Sequence, residues 1–507
     1  MNNGSAGSAG SAGSAGIGTH YLRYSTANVL VILAGLVSFP VLTRLLDNTQ
    51  FGILGYYDTW VLMAVAVAKL GAQHSIQRFY PHNGDGASQR AFSTNLFYLP
   101  LAGSLLLWVI VGLGVIAYGK ATGIGHSPVF WMALVMTPML VYGSLVETIL
   151  RVTERSRMVM LTRVGWRWLQ LLLMLVAVLA LQQSATAAYG GKLLAVAIGC
   201  VFYIAWAHRN LGFSRDAVDT ASVKQSMGYG LPLVATEILA VALVSIDRLM
   251  LKGLSGDFAL VGIYSVGASL AMQVHMFMNL TVFESFAPVA NRLYVTQDAS
   301  AVRALKLRML MPMTYAAVAV ALLLWCLGTD TIIALSGHGK TASGPVFAWM
   351  GAMNALLPVA LVCGYGLVLE RRTKVVLVMM CGSVLLNTAL NFVMIPAYGV
   401  MGAVYATLAS SIAAAITHCL LVSPALRQFP DRRTLTTTGA ALAAGLAGAW
   451  LASYLQLRPG WERLMLGGLL IGVPYLLTVL VLDSRLRAML PLKRKAAAAG
   501  VGETLAG

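Results

Sequence analysis

The sequence predicts an all-α polytopic membrane protein with about 14 transmembrane helices, and three observations carry that expectation. Of 507 residues 58% are hydrophobic and 10% charged, whereas a soluble domain carries roughly 25% charged residues. The apolar residues lie in long uninterrupted runs, such as Leu171 to Leu181 and Ala316 to Leu327. The charges are unbalanced, 35 Lys+Arg against 18 Asp+Glu, and sit in short clusters between the runs. That distribution is what basic inner loops produce. It does not suit a nucleic-acid binder, because no soluble segment carries a basic face interleaved with aromatics.

Residues 1–20, with a Gly/Ser/Ala tract from Gly4 to Gly16, are expected to form a flexible leader. They lack the charged stretch and apolar core of a cleavable signal. At about 20 apolar residues per crossing, six spans follow near 25–43, 56–76, 95–117, 129–150, 164–182 and 190–208, forming a first lobe over 21–210. Six more, near 229–250, 259–281, 309–328, 345–368, 375–395 and 400–422, form a second lobe over 211–425. Two final spans, near 437–455 and 464–482, occupy 426–484 and precede a basic tail, 485–507.

Lys and Arg concentrate in the leader (Arg23), the even-numbered loops and the tail, most densely at Arg151, Arg155, Arg157, Arg163 and Arg167, and at Arg292, Arg303, Lys306 and Arg308. The odd-numbered loops hold few, among them Arg44, Lys120 and Lys192. By the positive-inside rule both termini are expected to be cytoplasmic. One missed or invented span would reverse this alternation, so the charges also check the count.

The chain echoes itself. Phe51, Gly55 and Tyr57 recur 207 residues on as Phe258, Gly262 and Tyr264, and Phe79 and Pro81 recur as Phe286 and Pro288 at the same offset. Glu154 and Arg155 align with Glu370 and Arg371 after the fourth and tenth spans. An offset of six spans preserves sidedness, so the reading is two six-helix pseudo-repeat lobes around a central cavity, plus two extra C-terminal helices.

HExxH, P-loop and GxSxG motifs are absent, and no loop is long enough for a soluble active site. The five cysteines lie inside apolar segments with no CxxC spacing, which fits neither disulfides nor metal. No catalytic residue, metal or cofactor is therefore expected, and the chain is not read as an enzyme.

Charges inside the spans carry the functional expectation, because each costs at least ~2.5 kcal/mol at a helix centre unless it meets a partner or a wet cavity. In span 2, Asp58 and Lys69 are eleven residues apart, which at 100° per residue places them within about 20° on one face and about 16 Å apart along the axis. Gln73 extends that stripe, and Arg78 ends the span on another face. In span 7, Glu237 lies in the cytoplasmic third, and Asp247 and Arg248 stand at the far end, where an ion pair anchoring the loop is one reading. Glu237 is read either as a coupling site for protons or sodium or as an interhelical hydrogen-bond acceptor. Asn387 and Asn391, one turn apart, suit interhelical hydrogen bonds, and Glu147 and Arg151 suit an i, i+4 ion pair.

Several stretches taken together carry a resemblance: PVLTRLLDNTQFGILGYY, LGAQHSIQRFYP, YGLPL, SIDRLML followed by VGIYSVG, and LNFVMIPAYGVMGAVYAT. In this order, over roughly residues 20–425, the chain resembles the polysaccharide flippase (Wzx-type, PST) family of the multidrug/oligosaccharidyl-lipid/polysaccharide (MOP) exporter superfamily. The resemblance implies a flippase of the bacterial inner membrane. Its cargo would be undecaprenyl-pyrophosphate-linked oligosaccharide for O-antigen, capsule or exopolysaccharide, moved by alternating access. It also implies cationic residues facing the pyrophosphate; by position these are Arg44 in TRLL, Arg78 in RFYP and Arg248 beside Asp247 in the DR pair. Lys69, Glu237 and Asp58 are added from intramembrane charge alone. The expected partners are lipid-linked oligosaccharide and membrane lipids, with other polysaccharide assembly proteins on the basic loops and no nucleic acid. The alternative function is an ion-coupled drug or metabolite antiporter of the same superfamily, which would need a carboxylate as its main determinant.

Overall fold

The computed structural model of the chain describes residues 26, 29–82, 84–122 and 127–489. The leader over 1–20, Arg23 and the tail beyond Met489 lie outside the described residues. Among the described residues every regular element is a helix. Thirteen are long and apolar enough to cross a membrane, and Val29–Leu45 is a shorter apolar helix. These correspond one for one to the expected spans, so the chain is a multi-pass, all-α membrane protein.

In chain order the helices are α1 (Val29–Leu45), α2 (Asn48–Ala68), the short α3 (Ala72–Phe79), α4 (Gly86–Thr122), α5 (Pro128–Val152), α6 (Ser156–Ala180), α7 (Ala185–Asn210) and α8 (Thr220–Ser255). They continue as α9 (Phe258–Thr296), α10 (Ala299–Ser336), α11 (His338–Cys363), α12 (Thr373–Tyr398), α13 (Val400–Leu421), α14 (Arg432–Tyr454), α15 (Arg463–Leu482) and a closing turn, α16 (Ser484–Met489).

Short polar side chains start these helices. Asp47, Ser127, Ser184, Asp219, Asp298 and Asp431 each accept a hydrogen bond from a backbone N–H of the first turn, satisfying donors that the helix itself cannot. Several of the few acidic residues are thereby explained as caps. The helix bodies are apolar on all sides, with side chains such as Leu179, Val378 and Val393 facing outward, as lipid-facing helices require.

Chain packing separates two units. One comprises residues up to Ser265 together with Val384–Ala403; the other comprises Val266–Ser383 together with the residues from Val404 on. The first has a core of Ile76, Phe97, Leu145, Ile149, Leu150 and Val159, and a second cluster around Leu54, Val61, Met136 and Tyr189. In the second, Phe286, Leu310, Val362 and Leu367 form one cluster, and Tyr315, Leu322, Ile471 and Tyr475 form another, which seats α14 and α15 on α10.

The two segments of the first echo pack on each other, and the second echo has a structural counterpart. Gly52, beside Phe51, packs backbone to backbone on the start of α9: a Cβ on Gly52 would lie 1.9 Å from the Phe258 carbonyl oxygen, and one on Gly262 would lie 1.7 Å from that of Asn48. After α5 the chain turns through Glu154 (φ 56°), and after α11 through Arg371 (φ 55°). Each turn is closed by the next residue's N–H, Arg155 to the Leu150 carbonyl (3.0 Å) and Arg372 to that of Leu367 (2.9 Å). The structural equivalence thus pairs Glu154 with Arg371, one residue out of the register that the two Glu-Arg pairs suggest.

Two expectations about the helices are corrected. Span 2 is not continuous: it starts at Asn48 and breaks at Lys69–Gly71. Span 5 begins at Ser156, so Arg163 and Arg167 lie within α6 rather than in a loop.

Candidate functional site

The break between α2 and α3 shapes the site. Leu70 (φ 49°) and Gly71 (φ 72°) are successive left-handed residues. For Leu70 that conformation costs roughly 1–2 kcal/mol, because its Cβ crowds the following carbonyl. At Gly71 only glycine fits, since a Cβ would lie 2.1 Å from the Gly230 carbonyl oxygen of α8. Gly230 is equally constrained, a Cβ there lying 2.6 Å from the Gly71 oxygen. The Ser75 hydroxyl donates to the Ser226 carbonyl at 2.7 Å, fastening the start of α3 to the same stretch of α8. Two residues past Gly230, Pro232 interrupts the hydrogen bonding of α8, because it has no N–H to give the preceding turn.

The seam between broken span 2 and α8 holds a charged network. Lys69, the C-cap residue of α2, is buried and donates to Glu237 Oε1 and, at 2.9 Å, to Gln73 Oε1. The Gln73 amide donates to Glu237 Oε2 at 2.7 Å. His74 Nε2 lies 4.0 Å from the same oxygen and 3.3 Å from the Gln73 amide nitrogen. Lys69 also sits where the α2 dipole is negative, which favours a cation. Further along the seam, the Arg78 guanidinium stacks over the Tyr229 ring of α8, 4.6 Å from its centre.

The structure therefore brings together Lys69, Glu237 and, less closely, Arg78. It does not gather the remaining expected residues there. Asp58 pairs with Lys192 of α7 at 2.5 Å, so the Asp58–Lys69 stripe is not one site: its two ends face different helices. Arg248 is eleven residues beyond Glu237, about 16 Å along α8. Its Nε is buried without a partner among the described residues, and its Cδ lies 3.6 Å from where a Gly55 Cβ would stand. Asp247 is buried and accepts from the Tyr264 hydroxyl and, at 2.7 Å, from Asn391, which also bonds Asn387 at 3.0 Å. The ion pair of Asp247 with Arg248 thus gives way to hydrogen bonding with α9 and α12. Arg44 is exposed just before the end of α1.

Glu147 pairs with Arg151 as expected (2.7 Å) and also with Arg163 (2.5 Å). Sequence reasoning missed His74 and the Gly71–Gly230 contact. The available signals were the Leu-Gly step before Gln73 and the Gly-Leu-Pro of span 7, both of which weaken a helix. Among the described residues no group of three His, Cys, Asp or Glu side chains could hold a metal ion.

Chemically, the seam offers one cation whose counter-charge is a single carboxylate, with an amide and an imidazole beside it. It is suited to exchanging ionic partners, and it supplies no activated nucleophile.

The family described as Polysaccharide biosynthesis protein matches residues 19–293, more than half of the chain, and the chain belongs to that family. Comparison with curated proteins returns no match. Among solved structures the chain is similar to the lipid II flippase MurJ in an inward closed conformation, with a TM-score of 0.67, 11% identity, and 90% of this chain and 98% of that chain covered. It is also similar to an inward-facing multidrug resistance MATE family transporter of the MOP superfamily, at 0.55, 14%, and 78% and 93%. A MOP superfamily transporter from Pyrococcus furiosus matches at 0.52, 13%, and 81% and 96%. The fold is thus shared with these flippase and transporter structures.

Proposed function

We propose that the chain is a flippase that carries an undecaprenyl-pyrophosphate-linked oligosaccharide from the cytoplasmic to the periplasmic leaflet of the bacterial inner membrane, by alternating access. Family membership supports polysaccharide biosynthesis as the setting, and one relative in fold is a lipid II flippase. The observation that carries the reading is Lys69, a buried cation at a break in a membrane-spanning segment. A lysine there is costly, and a purely apolar break would suffice to end a helix. A pyrophosphate is the anionic part of such a cargo, and a cation in a low-dielectric seam recognises it far more strongly than one in water. Arg78, further along the seam, extends the positive track, while the prenyl chain stays in the bilayer.

Complementation tests this in a strain deleted for the chromosomal copy. Lys69→Ala is expected to restore less than about a tenth of wild-type surface polysaccharide at equal membrane abundance, since the cation that meets the pyrophosphate in the low-dielectric seam is gone. Lys69→Arg, which keeps the charge, is expected to restore more. Wild-type polysaccharide with Lys69→Ala would overturn the site.

A further inference from the structure

The seam has an electrostatic property that a simple pyrophosphate site would not have. Lys69 and Glu237 together are neutral, so the resting site offers a polyanion no net attraction. We propose that Glu237 is a resident competitor: its carboxylate occupies the position on Lys69 that the anionic phosphate of the cargo takes, and cargo binding displaces it. This rests on the flippase reading above and adds a regulatory role for one residue of the same site.

Three features of the geometry support displacement over a permanent pair. Lys69 is held by Gln73 as well as by Glu237 (Nζ to Gln73 Oε1, 2.9 Å), so it stays in place when the carboxylate leaves. Glu237 has a second place to go, because its other oxygen already accepts from the Gln73 amide at 2.7 Å and lies 4.0 Å from His74 Nε2. A small rotation moves the carboxylate off Lys69 and toward the imidazole without leaving it unsatisfied. Finally, Glu237 is only five residues past Pro232, where α8 has lost a backbone hydrogen bond, so the carrier of the carboxylate is itself an interrupted helix. Gln73 is the pivot, its carbonyl oxygen holding the cation and its amide holding the anion.

The consequence is a selectivity threshold. A ligand whose competent state is only fractionally populated binds more weakly by that fraction, so an anion must outcompete Glu237 to enter. Pyrophosphate, carrying several charges, does so better than a single carboxylate or chloride.

Calorimetric binding of farnesyl pyrophosphate to the purified full chain in detergent tests the proposal. Glu237→Gln, which keeps the size and removes the charge, is expected to bind at least about tenfold more tightly than wild type, because the competent fraction rises. The double variant Lys69→Gln/Glu237→Gln is expected not to bind. Equal or weaker binding by Glu237→Gln beside a binding wild type would overturn the competition and leave the flippase reading standing. Absence of binding by both wild type and folded Glu237→Gln would overturn the pyrophosphate reading and the competition with it. Should Glu237→Gln fail to fold, difference infrared spectroscopy of the wild-type chain with isotope-labelled glutamate reads the same event. A shifted glutamate carboxylate band on adding farnesyl pyrophosphate supports displacement, and an unchanged band overturns it.

Discussion

Two buried ionic centres, one in each unit, are built to opposite rules. In the second unit Asp483, fully buried, accepts from the Tyr315 hydroxyl (2.8 Å) and from the backbone N–H (3.0 Å), Nε (3.0 Å) and Nη2 (2.9 Å) of Arg485. Arg485 in turn reaches Asp431 at 2.7 Å, and Arg433 stands 3.8 Å from Asp483. At the other end of the α14–α15 pair, buried Asp330 of α10 accepts from the Gly460 N–H at 3.3 Å and faces Arg463 at 3.6 Å. These carboxylates fasten α14 and α15 to α10 with more donors than any one loss would exhaust. In the first unit Lys69 has one carboxylate and one amide. A buried charge satisfied many times over is a fastener, whereas one with a single counter-charge and one amide, at a helix break, is free to change partners.

The largest expected effect lies on the fastener side. Asp483→Ala should lower stability by about 3 kcal/mol, because the buried Tyr315 hydroxyl loses its acceptor and the charge-assisted bonds from Arg485, which keeps Asp431, are lost with it. Thermal unfolding of the purified protein checks this, and polysaccharide output per folded molecule should be unchanged. Lys69→Ala should lose output per folded molecule as well as stability, since Glu237 is left without its counter-charge, and equal output per folded molecule for the two variants would dissolve the comparison.

Gly71→Ala tests whether the break itself is required. The side chain would collide with the Gly230 carbonyl in a left-handed backbone, costing about 1–3 kcal/mol. Output is expected to fall with it, since Lys69 would no longer be aimed at α8.

An effect of similar size on stability, without the loss of output, is expected at Lys306, which the sequence places in a basic loop and the structure buries completely in α10. It donates to the carbonyls of Leu426 (2.5 Å) and Cys363 (3.2 Å), tying two inter-helix turns together without a carboxylate. Lys306→Met should cost about 1–3 kcal/mol for the carbonyls left unpaired, again measured by thermal unfolding, with output per folded molecule retained.

The smallest effect is in pH. Hydrogen bonds from Arg485 hold the Asp483 carboxyl down at about 2, from an ordinary value of 3.8. A depressed carboxylate contributes stability that is complete above the unfolded value and lost as pH falls through the folded one. The Tm should therefore be insensitive to this group above about pH 4 and fall progressively between about pH 4 and 2, and Asp483→Asn should flatten that fall.

Much of this was legible in the sequence because the bilayer makes the sequence simple. Fourteen apolar runs became fourteen helices, since a span has no alternative to internal hydrogen bonding. Lys69 and Glu237 stood out for the same reason, as charges where charge is expensive. Their pairing did not, because it depends on two left-handed residues at Leu70 and Gly71 and a backbone contact with Gly230. Helical periodicity assumes the chain continues, and from that assumption it placed Asp58 on the same track as Lys69. Arg163 and Arg167 were assigned to a loop because basic residues at a helix start look like one. Asp483 carries no sequence signal, and Lys306 reads as a loop cation, because the importance of both lies wholly in what packs around them.

The central claim, that Lys69 is where the cargo's charge is recognised, is tested most directly by flipping in reconstituted vesicles. Proteoliposomes loaded with a labelled undecaprenyl-pyrophosphate-linked oligosaccharide would be scored for label reaching the outer leaflet. Wild type and Asp330→Asn are expected to flip at similar rates per folded molecule, and Lys69→Ala at less than about a tenth of that rate, in keeping with the loss of the cation that meets the pyrophosphate. Flipping by Lys69→Ala at the wild-type rate would contradict the account.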